Sequence, residues 1–312
     1  MGLKNKRGMF FIFVAIVLLT ISLASLTIFS EIKNRESVVS RIGSMNNFVF
    51  SLEEDLDRKL FITGFRIIFL HEKRIVDSGN YIVNVSASFK EAFFNGTIEG
   101  SSTSDEDTLL AGVKYQDIID DLNENANKLS LRVNFSDPVV SITQDDPWNV
   151  KVILEGFMFV EDIGGLAYWN KSVRVESLIP TENFEDPLYI VNTNARVVPK
   201  ISQTPYSNFV VGSDVTKLSD HLENMYYLAS NESPSFLQRL EGDISAHEQG
   251  VESLVDLDAL SAQGLSIEDK SIVDHIYFSG SNPSANAVSG MPFWFKLDSA
   301  HHDLYNVSGI IV

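Results

Sequence analysis

The sequence predicts an α+β protein. It opens on a long N-terminal transmembrane and amphipathic helix, continues into an antiparallel β-sheet head, and closes on a smaller helical, loop-rich module. Three observations carry this reading. Residues 9–29 hold no charge. Apolar residues then recur at helical spacing to about residue 70. Beyond that point, alternating segments separated by Gly, Asn and Pro clusters read as strands and turns. The expected organisation is a leader at 1–8, a transmembrane helix at 9–29, an amphipathic extension at 30–75, an α+β extracellular head at 76–204 and a C-terminal helical module at 205–312.

The first element is "KNKRGMFFIFVAIVLLTISLASLTIF". As a helix, residues 9–29 would span about 31 Å, the thickness of a bilayer core. Fourteen of them are Phe, Ile, Leu or Val, which outweigh Thr20, Ser22, Ser25 and Thr27 on an insertion scale. The run is longer than the apolar core of a cleaved secretion signal, and no small-x-small site followed by a loop ends it. Lys4, Lys6 and Arg7 precede it, whereas the charges after it are mixed in sign. The positive-inside rule therefore places the N-terminus in the cytoplasm. The expected location is the cell membrane, single-pass, with the lipid bilayer as partner of 9–29 and the bulk of the chain outside.

The second element continues the first. Val38, Ile42, Met45, Val49, Leu52, Leu56 and Leu60 follow at spacings of three and four, and no proline occurs before Pro138. Glu53, Glu54, Asp55, Asp57, Arg58 and Lys59 fall mostly on the other face. The break is expected at "VDSGNY", a Gly/Asn turn cluster.

A short basic leader ending in Lys-Arg-Gly, followed at once by an uncharged helix, resembles the class III signal peptide of archaeal type IV pilins and pilin-like proteins. The resemblance implies cleavage by a prepilin peptidase after Gly8, leaving Met9 as the mature N-terminus. It also implies other pilin-like subunits as partners, with the N-terminal helices packed in a filament core. Phe13 stands where bacterial pilins carry glutamate; archaeal members often lack that residue. The distal segments "SMNNFVFSLEEDLDRKLFITGFR", "DDPWNVKV", "FEDPLYIVNT" and "KSIVDHIYFS" resemble an uncharacterised family of single-pass archaeal surface proteins. That likeness implies a compartment and brings no activity.

In the exterior part, "YIVNVSASF" alternates Tyr81, Val83, Val85 and Ala87 and predicts a strand. "FNGTIEGSSTSDEDT" reads as an acidic loop. "YQDIIDDLNENANKL" places Tyr115, Ile118, Ile119, Leu122, Ala126 and Leu129 on one helix face. Strands are expected in "LRVNF", "NVKVILEGFMFVED", "LAYWNKSVRVESLI" and "LYIVNTNARVVPKI", with a hairpin at Gly164 and Gly165. Helices followed by a strand meander argue for an α+β head. In the last module, Asp214 is placed to cap a helix bearing Leu218, Leu222, Met225 and Ala229, and "SPSFLQRLEG" reads as a short helix stopped by Gly242. "MPFWFKL" is expected in the core or as a packing strand.

The formal net charge is -18, although the leader is basic. A surface this acidic repels polyanions, so no nucleic-acid partner is expected. The chain has no cysteine, which excludes disulfides, thiolate metal sites and cysteine nucleophiles. The six histidines form no His-Glu-x-x-His set, and no nucleophile elbow, phosphate loop or dinucleotide fingerprint occurs. No catalytic residue, cofactor or metal is expected. "DSAHHD" brings Asp298, His301, His302 and Asp303 close and reads as a solvated polar helix start rather than a metal site. Asp121, Asn123 and Asn125 have the spacing of a calcium loop, but Ala126 and Arg132 occupy its glycine and glutamate positions. Asp105, Glu106 and Asp107 read as solvated loop.

Asn-x-Ser/Thr acceptors stand at Asn84, Asn95, Asn134, Asn170, Asn231 and Asn306, with Asn95 in the most loop-like context. The expected function is structural. It is that of a pilin-like minor subunit of an archaeal type IV pilus-like filament, the large head pointing to a tip, priming or adhesive role. The alternative is an unprocessed single-pass anchored binding, adhesion or envelope protein. An anchored enzyme would differ from both in a pocket that gathers histidines and carboxylates.

Overall fold

The computed structural model of the chain describes residues 4–100 and 104–312. The first three leader positions, residues 101–103 of the expected acidic loop, and the side chains of Lys4, Asn5, Lys6, Arg7 and Glu106 lie outside the described residues.

The protein combines helices with antiparallel sheet. Helix α1 runs Lys4–Ser78 without interruption, as a proline-free sequence allows. It is long and apolar enough to cross a membrane. Gly79 stops it: its φ of +68° is left-handed, and its N–H donates to the Ile75 carbonyl at 2.8 Å. Then follow α2 (Val85–Asn95), α3 (Ser104–Leu109) and α4 (Tyr115–Lys128). Strands β1 (Leu131–Asp146), β2 (Asn149–Asp162) and β3 (Tyr168–Pro180) pair in the order β1-β2-β3. Connections this short permit only antiparallel pairing. Asp146 accepts the Trp148 N–H at 2.6 Å in the first turn. In the second, Gly165 takes a φ of +71° and donates to the Asp162 carbonyl at 2.8 Å. Pro138 sits within β1, which lies at a sheet edge, where a missing N–H costs no ladder bond.

The remainder comprises α5 (Pro187–Thr193), α6 (Thr216–Glu223), β4 (Tyr227–Ala229), α7 (Phe236–Glu241), β5 (Val251–Ser253), α8 (Leu257–Ala262), α9 (Asp274–Tyr277), β6 (Ala285–Ala287) and β7 (Lys296–Asp298). The pairs are antiparallel, with Leu228 opposite Glu252 and Asn286 opposite Leu297.

The chain divides into two compact units. The first comprises Met1–Asp55, Asp121–Ser136 and Phe157–Ser172. Its buried apolar residues include Met45, Val49, Leu52, Leu122, Ala126, Val133 and Met158. Arg41 fastens it: Nε donates to Asp162 at 2.6 Å, and Nη2 to the Leu129 and Ser130 carbonyls at 2.6 and 3.0 Å. That guanidinium holds the Asp162 carboxyl below the usual range. Lys171 pairs with Glu53 and also stands 5.3 Å from the Trp169 ring centre.

The second unit comprises Leu56–Asp120, Asp137–Gly156 and Val173–Val312. Leu56, Leu60, Ile67, Ile68 and Ile75 are buried along α1. Gly64 permits close approach of helix and sheet, since a Cβ there would lie 2.5 Å from Ile179 Cδ1. A second core gathers Tyr189, Leu218, Leu254, Ile272, Phe295, Leu297 and Tyr305.

Several expectations are corrected. Residues 81–89 are not a strand. Asn84 accepts the Ala87 N–H at 2.7 Å and starts α2, and burial of Val85, Ser88, Phe89, Ala92 and Phe93 follows the helical period. "LYIVNTN" is likewise helix: Asp186 caps it, Pro187 opens it and Asn194 closes it left-handed at φ 51°. Residues 104–109 are helix rather than loop. Asp214 accepts the Thr216 N–H at 2.9 Å, but the residue in the cap position of α6 is Val215, which makes no side-chain cap bond, and the helix ends at Glu223; Met225 is left-handed at φ 48° and Ala229 lies in β4. Leu129 of the α4 face and Ile42 of the α1 seam are exposed. The strands in "NVKVILEGFMFVED" and "LAYWNKSVRVESLI", α4, the Gly164–Gly165 turn and the short helix α7 before Gly242 form as expected, whereas β1 runs on from "LRVNF" through Pro138 to Asp146 and the meander has three strands rather than four. In "MPFWFKL", Trp294, Phe295 and Leu297 are core whereas Phe293 is exposed.

Candidate functional site

The apolar end of α1 is a helix with no inward side. Phe10, Phe11, Ile12, Phe13, Leu18 and Leu19 are all exposed, and none of its most apolar 18-residue stretch is buried. A helix apolar all round belongs in an apolar medium or a packed interior. Its two threonines are already served. Thr20 donates to the Val17 carbonyl and Thr27 to the Ala24 carbonyl, each at 2.8 Å. Hydroxyls bonded to their own helix suit a medium without water. Gly8 lies within the same helix, with nothing among the described residues within 4 Å of a Cβ built on it, and Met9 is exposed. The surface becomes one-sided from Met45, where burial begins and recurs at Val49, Leu52, Leu56 and Leu60.

All six sequon asparagines are exposed. Asn84 is engaged as the cap of α2, and Asn95 is the last residue of that helix rather than a loop position. Asn134 and Asn170 lie on β1 and β3, and Asn231 in a turn after β4. Asn306 is tied on both sides: Oδ1 accepts the Phe209 N–H at 3.0 Å and Nδ2 donates to the Asp303 carbonyl at 3.3 Å.

The second unit holds charges that the sequence does not advertise. Arg239 is fully buried between Asp186 and Asp274, with Nη1 at 2.6 and 3.0 Å from their carboxylates. Its Nη2 donates to the Val251 carbonyl. Asp186 also accepts the Tyr227 hydroxyl at 2.7 Å and the Leu188 N–H at 2.8 Å. Asp274 accepts the Ser253 hydroxyl and N–H at 2.9 and 3.0 Å. Burial raises the pKa of Asp186; at Asp274 burial pushes the same way, but Arg239 and His275 hold the carboxyl below its ordinary value. One guanidinium is thus shared by two buried carboxylates, and the hydroxyl and N–H donors around them offset the cost of burial.

Near it, His301 contradicts the reading of "DSAHHD" as a solvated helix start. Its Nδ1 is 2.8 Å from Asp298, Nε2 is 3.5 Å from buried Glu252, and the ring itself is buried. Burial lowers the imidazole pKa, but Asp298 and Glu252 together lift it to about 10. His302 turns to the Leu297 carbonyl at 3.1 Å, and Asp303 accepts the Ser308 hydroxyl at 2.6 Å. The four residues therefore do not converge. Among the described residues, no group of three or more His, Asp or Glu is arranged to hold a metal ion. Asp121, Asn123 and Asn125 lie on α4, and Asp105 of α3 pairs with Lys73 at 3.1 Å. A surface cavity of about 380 Å³ beside His301 is lined also by Glu232 and Glu248.

Comparison with protein families, with curated proteins and with solved structures finds no match in any of the three.

Proposed function

We propose that the protein is a membrane-anchored structural protein of the cell surface, a pilin-like minor subunit that acts through the N-terminal part of α1. The observation that supports this is the all-round apolar surface of residues 9–29 on a helix that goes on to become one-sided. Such a segment is stable either in lipid or against other apolar helices. In this reading the N-terminus faces the cytoplasm and the acidic remainder lies outside. A peptidase cuts after Gly8. Helices starting at Met9 then exchange lipid for one another, and the exposed face of residues 10–29 is buried between subunits.

The runner-up is an unprocessed anchor that holds the exterior units at the membrane for adhesion or envelope support. It is favoured by the continuity of α1 through Gly8, which leaves no extended segment for a peptidase, and by Phe13 in place of the bacterial glutamate.

Intact mass with N-terminal peptide mapping, on protein from membranes and from shed filaments, separates the two. A start at Met9, abolished by Gly8→Val, supports the pilin-like subunit. A retained leader with unchanged mass in Gly8→Val removes that reading and leaves the anchor.

A further inference from the structure

Within the second unit, the α1 residues from Phe65 to Asp77 and the segment after β3 enclose a cavity of about 360 Å³. That volume is in the range of small-molecule sites. Its apolar wall is aromatic: Phe65 and Phe184 stand with ring centres 5.2 Å apart, and Phe69 lies one turn along the same helix. Phe65 and Phe69 are each more than 40% exposed, so the wall is open to a ligand. The polar wall is mostly acidic. Glu72, Glu182, Glu185 and Asp77 line it. Of the two lysines, Lys73 is committed to Asp77 and Asp105, each at 3.1 Å, and Lys200 lines the cavity as an exposed residue.

Glu72 is the unusual member. It is only 5% exposed, and its Oε1 has no hydrogen-bond partner among the described residues. A carboxyl in that position is costly as an anion and gains most from a cation brought to it. Aromatic faces add attraction for the same kind of charge. An anionic ligand would be repelled by the acidic wall of Asp77, Glu182 and Glu185, and a neutral one would gain no attraction from it. We propose that this cavity binds an organic ammonium ion carried on a small apolar body, with the ammonium beside Glu72 and the body against Phe65, Phe69 and Phe184.

The groups facing Glu72 fix the proton balance. Burial comes first, and Glu185 and Asp186 add to it; the Glu185 N–H and Lys200 oppose them, and the carboxyl is lifted to about 9. Lys73, Asp77 and Glu182 lie on the same walls. At neutral pH the empty site therefore holds a protonated Glu72. When an ammonium ion binds, the ligand keeps its proton and the carboxyl releases its own to solvent. Binding becomes an exchange of one cation for one proton.

The test uses the full chain in lipid nanodiscs, with empty nanodiscs as background. Phenethylamine is titrated calorimetrically at pH 7.5 in two buffers of different ionisation enthalpy, beside 2-phenylethanol and phenylacetate. The expected result is amine binding at least tenfold tighter than either analogue, with release approaching one proton per amine. Glu72→Gln, an isostere of the protonated acid, is expected to abolish proton release and weaken the amine at least tenfold while leaving the alcohol unchanged. Phe69→Ala, at an exposed position, should weaken the amine without changing protons released per amine bound. The proposal is overturned if the amine binds no tighter than the alcohol, if Glu72→Gln leaves amine affinity and proton release as they were, or if no binding exceeds background.

Discussion

Residues 9–29 turn phenylalanine and leucine outward, whereas the C-terminal core turns an arginine and two aspartates inward. Both depart from the ordinary distribution of polarity, and they are resolved differently. The N-terminal helix satisfies its backbone and its threonines internally, so what it needs is a medium. The Arg239 centre needs no medium, because each carboxylate finds a cation and several donors within 3.0 Å. An exposed apolar surface points to something outside the chain, and a buried charge held between opposite charges points to the chain itself. Function is therefore sought at the first and stability at the second.

The strongest test of that contrast is Arg239→Met. It leaves Asp186 and Asp274 facing each other without the guanidinium they share, and the expected loss is about 3–5 kcal/mol of unfolding free energy. Denaturant unfolding of the full chain in nanodiscs measures it, and Asp274→Asn in the same background should recover part. A loss below about 1 kcal/mol would mean that the centre is not held by its charges. The next effect is at the other region. Leu19→Arg should cost about 2.5–3.5 kcal/mol of membrane insertion in a glycosylation-reporter assay. Phe50→Arg, equally exposed but outside residues 9–29, should cost nothing there. Equal behaviour of the two variants would remove the anchor.

The third effect is graded with pH. His301 has its pKa raised from 6.5 to about 10, so the stability it contributes is complete below about 6.5 and is lost as pH rises through 10. The slope it adds is at most about 1.4 kcal/mol per pH unit. Asp298, held near 2 by His301 and Ser271 against the upward push of burial, works in the other sense: its contribution is present above about 4 and lost as pH falls through 2. Unfolding curves between pH 6 and 10 should fall for the native protein and flatten in His301→Gln. Parallel curves would show that the Asp298–His301 pair carries no net proton linkage.

The long helix was legible because composition and period agree over tens of residues, and the β1–β3 meander because its strands are long and its turns contain Asp, Pro or Gly. The failures fall on short apolar runs. "YIVNVSASF" and "LYIVNTN" alternate well enough for strands, and what decides them is a single side chain, Asn84 within the first and Asp186 just before the second, which caps a helix. Short windows cannot separate periods of 2 and 3.6. The Arg239 centre was illegible for a different reason. Asp186, Arg239 and Asp274 are far apart in the chain, and nothing local distinguishes them from surface charges. At residues 9–29 the helix and its apolar surface were legible, since a uniform apolar run requires no long-range contact. The cavity at Glu72 was not, since it needs the segment after β3 folded against α1.

The indole rings are divided between the two units. Trp169, with the Lys171 ammonium beside its face, belongs to the first, while Trp148 and the buried Trp294 belong to the second. Emission from Trp169 alone, in a chain carrying Phe at the other two positions, reports the unit that contains residues 9–29. The complementary chain, with Phe at 169, reports the unit that contains Arg239. The protein thus carries an optical label for each half of the comparison, and the two colour changes on heating need not coincide.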